Sequence, residues 1–242
     1  MTRRATMQNG GIPRVVSGVE HEYKWLVTHP TVPGFDSGPH GIVRRVGMPA
    51  DFCLAPQVTT VQSAVYLDTA DALLAAEGIS LAVVVNYGPN RHIRWLVMKE
   101  TLLWAQGRRD ALEIADRIDG VALSEALTTW SAQPLIRLGR RFGGPLSLHA
   151  FGAATQRRTQ ARAVSEFGTL GMSVDETTIR DTHNRAVSVD RWLEVETNQS
   201  ELRCLRGLTE WADLISAALG SSPFEESKPE RIARLARAGH AA

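Results

Sequence analysis

Hydrophobic and polar positions alternate with a period of two over much of the chain. Residues 17–27 place Val19, His21, Tyr23 and Trp25 on one face and Glu20, Glu22 and Lys24 on the other, the spacing of a β-strand. Strands are also predicted over 58–69, 79–86, 92–100, 146–162 and 186–198, with a hairpin over 169–182, while 108–115 reads as strand or helix and is taken as strand from its place in the series. The period lengthens toward that of a helix over 70–78, 121–142, 200–219 and 229–238, where Leu202, Leu205, Leu208 and Ile215 fall on one side. Gly78 is placed to stop the first of these helices. The order is eight or nine antiparallel strands with helices between and after them.

Residues 29–56 break the pattern. Pro30, Pro33, Gly34, Gly38, Pro39 and Gly41 crowd together there, so a long loop with a short helix near 40–46 is expected. Residues 1–16 are expected to be a disordered tail, and 17–238 a single domain. The start holds two arginines with no apolar stretch behind them, which does not resemble a secretory signal.

Composition narrows the function classes. The 242 residues are 43% hydrophobic and 22% charged, with a formal net charge of +1. That balance argues against a general nucleic-acid binder. No apolar run approaches the roughly 20 residues of a membrane-spanning helix. Cys53 and Cys204 have no metal-like spacing, in keeping with reduced thiols in a cytoplasmic protein. Of 27 basic residues only three are lysines, Lys24, Lys99 and Lys228.

The distribution of charge changes the picture most. Each strand carries charge on one face: Glu20, Glu22 and Lys24, then Lys99, Arg109 with Glu113, Arg158, Asp175, and Glu194 with Glu196. An open sheet would simply wet that face. A closed sheet would turn it inward as the lining of a tunnel. Carboxylates gathered in a lumen repel one another unless cations accompany them. Interleaved bases and a hard divalent metal meet that need, and together they suit a metal–polyphosphate ligand.

These residues resemble the CYTH family, the triphosphate tunnel metalloenzymes. Glu20-x-Glu22-x-Lys24 is similar to its first-strand hallmark. Tyr66-Leu67-Asp68-Thr69-Ala70-Asp71 followed by Gly78-Ile79-Ser80-Leu81 is similar to its next segment. Lys99, Arg109 with Glu113, Arg158, Val174-Asp175-Glu176, Glu194-Val195-Glu196 and Ser227-Lys228 with Arg231 follow in the family's order. All three lysines fall on motif positions.

The resemblance implies an α+β fold built on a closed eight-stranded antiparallel β-barrel tunnel with flanking helices. It implies hydrolysis of a triphosphate, inorganic or organic such as thiamine triphosphate, with Mg²⁺ or Mn²⁺. Glu20, Glu22, Asp175, Glu194 and Glu196 would hold metal. Lys24, Lys99, Arg109, Arg158, Lys228 and Arg231 would bind phosphates, and Glu22 with Lys24 would act in catalysis. The expected partner is a triphosphate-containing small molecule, with no nucleic acid and no membrane, and with a homodimer as an option.

The chain also departs from the pattern. The family's Arg-x-Arg after Gly-x-x-Leu is Ala82-Val83-Val84 here. Gln156, Ala111, Gly171 and Asn198 stand at other charged positions. Arg91, Arg94 or Arg44-Arg45 are candidates to compensate. The departures motivate an alternative, a catalytically degenerate tunnel that binds a phosphorylated or other anionic ligand without turnover. Adenylate cyclase activity of the class IV type ranks below both.

Overall fold

A computed structural model describes residues 15–28, 34–88 and 92–238. Arg91 and residues 1–14 of the expected tail lie outside these. Nine strands form one sheet: β1 (Val15–Leu26), β2 (Cys53–Leu54), β3 (Val58–Asp68), β4 (Ile79–Tyr87), β5 (His92–Ala105), β6 (Arg108–Arg117), β7 (His149–Ser165), β8 (Gly168–Arg180) and β9 (Ala186–Thr197). Helices are α1 (Gly38–Val46), α2 (Leu73–Ala76), α3 (Leu123–Thr129), α4 (Gln133–Phe142), α5 (Leu202–Leu219) and α6 (Lys228–Ala238).

The strand order is β7-β3-β4-β5-β6-β1-β9-β8, and β8 pairs back onto β7. That last pairing closes eight antiparallel strands into a barrel. The two-residue β2 pairs with β7 beyond the end of β3, through Cys53–Val164 and Leu54–Ala163.

Closure gives every strand an inside and an outside, and the period of two assigns the side chains. Two apolar clusters cover the outside. Tyr23 and Trp25 of β1, Leu170, Met172 and Val174 of β8, and Leu193 and Val195 of β9 pack with Leu208, Trp211 and Ile215 of α5 and Ile42 of α1. Each such side chain, fully buried, contributes about 1.5–3 kcal/mol. Across the barrel, Leu81 and Val83 of β4 and Leu96 and Met98 of β5 pack with Leu135 and Leu138 of α4.

Three expectations change. Residues 169–182 do not turn back as a hairpin. They run on as the thirteen-residue β8, paired with β7 along its length and with β9 from Gly171 onward, because β7 and β9 are both long enough to flank it. Residues 121–142 break into α3 and α4, with Trp130 in the left-handed region (φ 50°) and Pro134 opening the second helix. The 29–56 segment carries a 3₁₀ turn (Phe35–Ser37), α1 and β2, and Phe35 and Ile42 anchor it in the α5 cluster.

One glycine is required where α6 meets the barrel. A Cβ on Gly152 of β7 would stand 2.5 Å from Cγ2 of the fully buried Ile232. With no side chain there, α6 seats against β7 and brings its first residue, Lys228, to the lumen.

Candidate functional site: a charged tunnel

The lumen is a cavity of about 290 Å³. Its lining includes Glu20, Glu22 and Lys24 from β1, Lys99 from β5, and Arg109 and Glu113 from β6. Arg158 comes from β7, Glu194 and Glu196 from β9, and Lys228 from α6. The register explains how residues far apart in the chain meet. Glu22 lies opposite Arg109 on one side and Glu196 on the other, and Lys24 opposite Glu194.

Three ion-pair groups organise these charges. Lys99 pairs with Glu20 and, at 3.3 Å, with Glu113. Glu22 receives Lys24 at 2.8 Å and Arg109 Nη1 at 3.0 Å, while Arg109 Nε donates to Thr101 Oγ1 at 3.1 Å. Asp175 accepts from Arg158 Nε at 2.9 Å, from its Nη2 at 2.7 Å, and from Lys228 Nζ at 2.7 Å. Glu194 accepts from the same two bases, at 3.3 and 3.0 Å.

Burial works against every charge here, and the partners decide the outcome. Burial would strip Lys99 of its proton, but Glu20, then Glu113 and Glu22, hold it well above the usual lysine range. Burial would raise Glu20 and Glu194. Lys99 overcomes this at Glu20, and Lys228, Arg158 and Lys24 overcome it at Glu194, so both stay below the ordinary value. Glu196 goes the other way: burial first, and then the charges of Glu20 and Glu194, push it well above. Among the described residues no lysine or arginine forms an ion pair with it.

Glu20, Glu22 and Glu196 each offer a carboxylate oxygen, all within 4.8 Å of one another. The donor set fits a hard divalent cation such as Mg²⁺ or Mn²⁺, which favours carboxylate oxygens. Its third member, Glu196, has no ion-pair partner among the described residues and favours its protonated form, and a bound cation would favour the carboxylate instead.

Two expected site residues stand elsewhere. Asp175 is wholly buried and does not border the cavity. Its two oxygens are taken up by Arg158 and Lys228, so it serves the bases rather than the carboxylate trio. Arg231 also faces away from the lumen. One turn along α6 it pairs with Asp190, with its Nη2 at 3.1 Å, and it borders a separate cavity beside Leu26 and Val189. Glu194 does line the lumen, but it is tied to Lys228 and Arg158 and stands outside the trio.

The missing arginines are not replaced among the described residues. Ala82 and Val84 both face the cavity. Arg44 and Arg45 are exposed at the end of α1, and Arg94 donates to the carbonyl of Val121. Gln156 lines the lumen and donates to Gln62 Oε1 at 2.6 Å, a neutral pair across two strands. Gln62 and Thr101 carry no sequence signal of their own; they are found only through the strands they pair with.

Two further motif residues act outside the lumen. Asp68 accepts from the backbone N–H of Leu74 at 2.8 Å and of Ala75 at 3.0 Å, binding the end of β3 to α2. His21 lies outside the barrel, with Nδ1 2.8 Å from Asp110.

A closed antiparallel barrel with an acid-and-base-lined lumen defines a tunnel protein. Solved structures place it more narrowly, in a fold of the CYTH type. A candidate adenylate cyclase from Bacillus halodurans superposes with a TM-score of 0.57 at 18% identity, over 89% of this chain and 97% of that one. A candidate adenylyl cyclase from Hippeastrum, described as having a dominant triphosphatase activity, also gives 0.57 at 18% identity, over 91% and 96%. A protein from Pyrococcus horikoshii gives 0.53 at 16% identity, over 89% and 98%. No family model and no curated protein sequence matches the chain.

Proposed function

We propose that this tunnel binds a triphosphate-containing small molecule together with a divalent cation and hydrolyses a phosphoanhydride bond. One observation carries the reading: a carboxylate trio and five basic side chains border the same cavity. Glu20, Glu22 and Glu196 would hold Mg²⁺ or Mn²⁺. The bound cation would supply charge neutralisation at the phosphate oxygens. Lys24, Lys99, Arg109, Arg158 and Lys228 would meet the remaining oxygens and offset charge that develops in the transition state. Glu22, held by Lys24 and Arg109, is the carboxylate best fixed to orient an attacking water. The triphosphatase activity named for the Hippeastrum protein is in keeping with this reading.

A second reading, a tunnel that binds without turnover, rests on Ala82 and Val84. Both face the lumen in place of basic residues. Each lost charge-assisted contact forgoes about 1.5–3 kcal/mol. Phosphate release from tripolyphosphate, thiamine triphosphate and ATP, with Mg²⁺ or Mn²⁺, decides between them. Metal-dependent release is expected. Tripolyphosphate binding with no release establishes the second reading, and no binding at all overturns both.

A further inference from the structure

The cavity is charged on only part of its circumference. Ala154 of β7 lies opposite Ala64 of β3, and Ala64 opposite Val84 of β4. Two residues along, Tyr66 lies opposite Ala82, and Ala82 opposite Val97 of β5. Residues i and i+2 share a face of a strand. Ala64, Ala82, Val84, Val97 and Ala154 therefore form one apolar wall with the ring of Tyr66 at its edge, bounded along the same strands by the neutral polar side chains of Gln62, Gln156 and Ser80, and all of them border the cavity. The acids and bases gather on the opposite arc, from β1, β6 and β9, with Lys99, Arg158 and Lys228 at its margins.

An inorganic polyphosphate suits such a lumen poorly. It carries oxygens on every side, and those turned to Ala82 and Val84 would give up water without meeting a donor. An apolar group gains from the same contact. We propose that the ligand of this tunnel is an organic phosphate, a diphosphate or triphosphate ester whose alkyl or aryl group lies on the Ala64–Val84 wall while its phosphates face the basic arc. The proposal rests on the reading of that arc as a phosphate site. The volume of about 290 Å³ stands at the low end for small-ligand pockets, which span about 300–1,000 Å³, so the organic group is compact.

Calorimetric titration of the full chain with Mn²⁺ and a series of n-alkyl triphosphates, methyl to hexyl, tests this against tripolyphosphate. Affinity should rise about fourfold for each methylene that reaches the wall, then level off. Val84→Thr, close in shape but bearing a hydroxyl, should flatten the rise, and by offering a donor to a phosphate oxygen it should leave tripolyphosphate bound no more weakly than by the wild type. A flat series in the wild type, with tripolyphosphate bound as tightly as the hexyl ester, overturns the inference and leaves the phosphate reading standing. A rise unaffected by Val84→Thr overturns the placement on this wall. No binding by tripolyphosphate or any ester overturns the phosphate reading, and the inference falls with it.

Discussion

Arg158 and Asp175 form a two-pronged ion pair, at 2.9 and 2.7 Å, with the carboxylate wholly shut off from water. They face each other across β7 and β8 in register. Asp175 holds Lys228 as well, at 2.7 Å. The acid thus fixes two of the five lumen bases from behind, leaving their outer surfaces toward the cavity.

Asp175→Ala should therefore cost both stability and ligand binding. Removing one partner from a buried ion pair costs about 3–5 kcal/mol, and here two bases are left with Glu194 alone. Urea unfolding should show that loss. Where the variant still folds, tripolyphosphate affinity should fall, although Asp175 itself does not border the cavity.

Glu196→Gln should separate cation binding from stability. Burial and the charges of Glu20 and Glu194 already disfavour its ionised form. Neutralising it should leave the melting temperature unchanged or higher. Mn²⁺ affinity, read by paramagnetic resonance, should drop at least about tenfold, as for loss of a charged ligand contact. Equal Mn²⁺ affinity in variant and wild type would exclude Glu196 as a ligand.

Lys228 and Arg231 stand one turn apart on α6 and should behave oppositely. Lys228→Ala should weaken tripolyphosphate binding. Arg231→Ala should leave binding intact and lower stability by about 1–3 kcal/mol, since Asp190 keeps only the Ser188 hydroxyl and loses its ion-pair partner. Weaker tripolyphosphate binding in the Arg231 variant would return that residue to the phosphate site.

Asp181 should give a pH-dependent contribution at the turn from β8 to β9. Its carboxylate accepts from the backbone N–H of His183 and of Arg185, both at 2.9 Å, and from Arg185 Nε at 2.8 Å. Burial opposes its charge, but the bonds from Arg185 and His183 win and lower its pKa. The folded value lies below the unfolded one, near 4, so the stabilisation is complete above that and is lost as pH falls through the folded value. Asp181→Asn should be less stable than the wild type at pH 7, and urea midpoints should converge as pH drops below about 4. A constant gap at all pH values would show that the charge is not responsible.

Much of the site was legible because a strand's period of two sorts side chains without knowledge of the fold. Glu20, Glu22 and Lys24 had to share a face, and so did Glu194 and Glu196. Roles were less legible. Asp175 reads as one more inward acid, yet only the tertiary structure shows that it is paired with Arg158 and Lys228 and set apart from the carboxylate trio. Arg231 reads as a partner of Lys228, but three residues along a helix is most of a turn, and Asp190 stands close enough to claim it. The hairpin expected over 169–182 failed because long neighbours on both edges hold the chain extended.

The sequence by itself determined which residues alternate and which faces carry charge. Those are properties of local periodicity and residue type. Only the tertiary structure decided that the sheet closes, since closure is a pairing of β7 with β8 after β7 has already paired with β3. Closure turned a run of alanines and valines that reads as ordinary buried strand into one wall of a lumen. It also set carboxylate oxygens of Glu20 and Glu22 within 4.8 Å of one from Glu196, which comes from the far end of the chain. Contact across a barrel depends on register and curvature, and neither is written in any single strand.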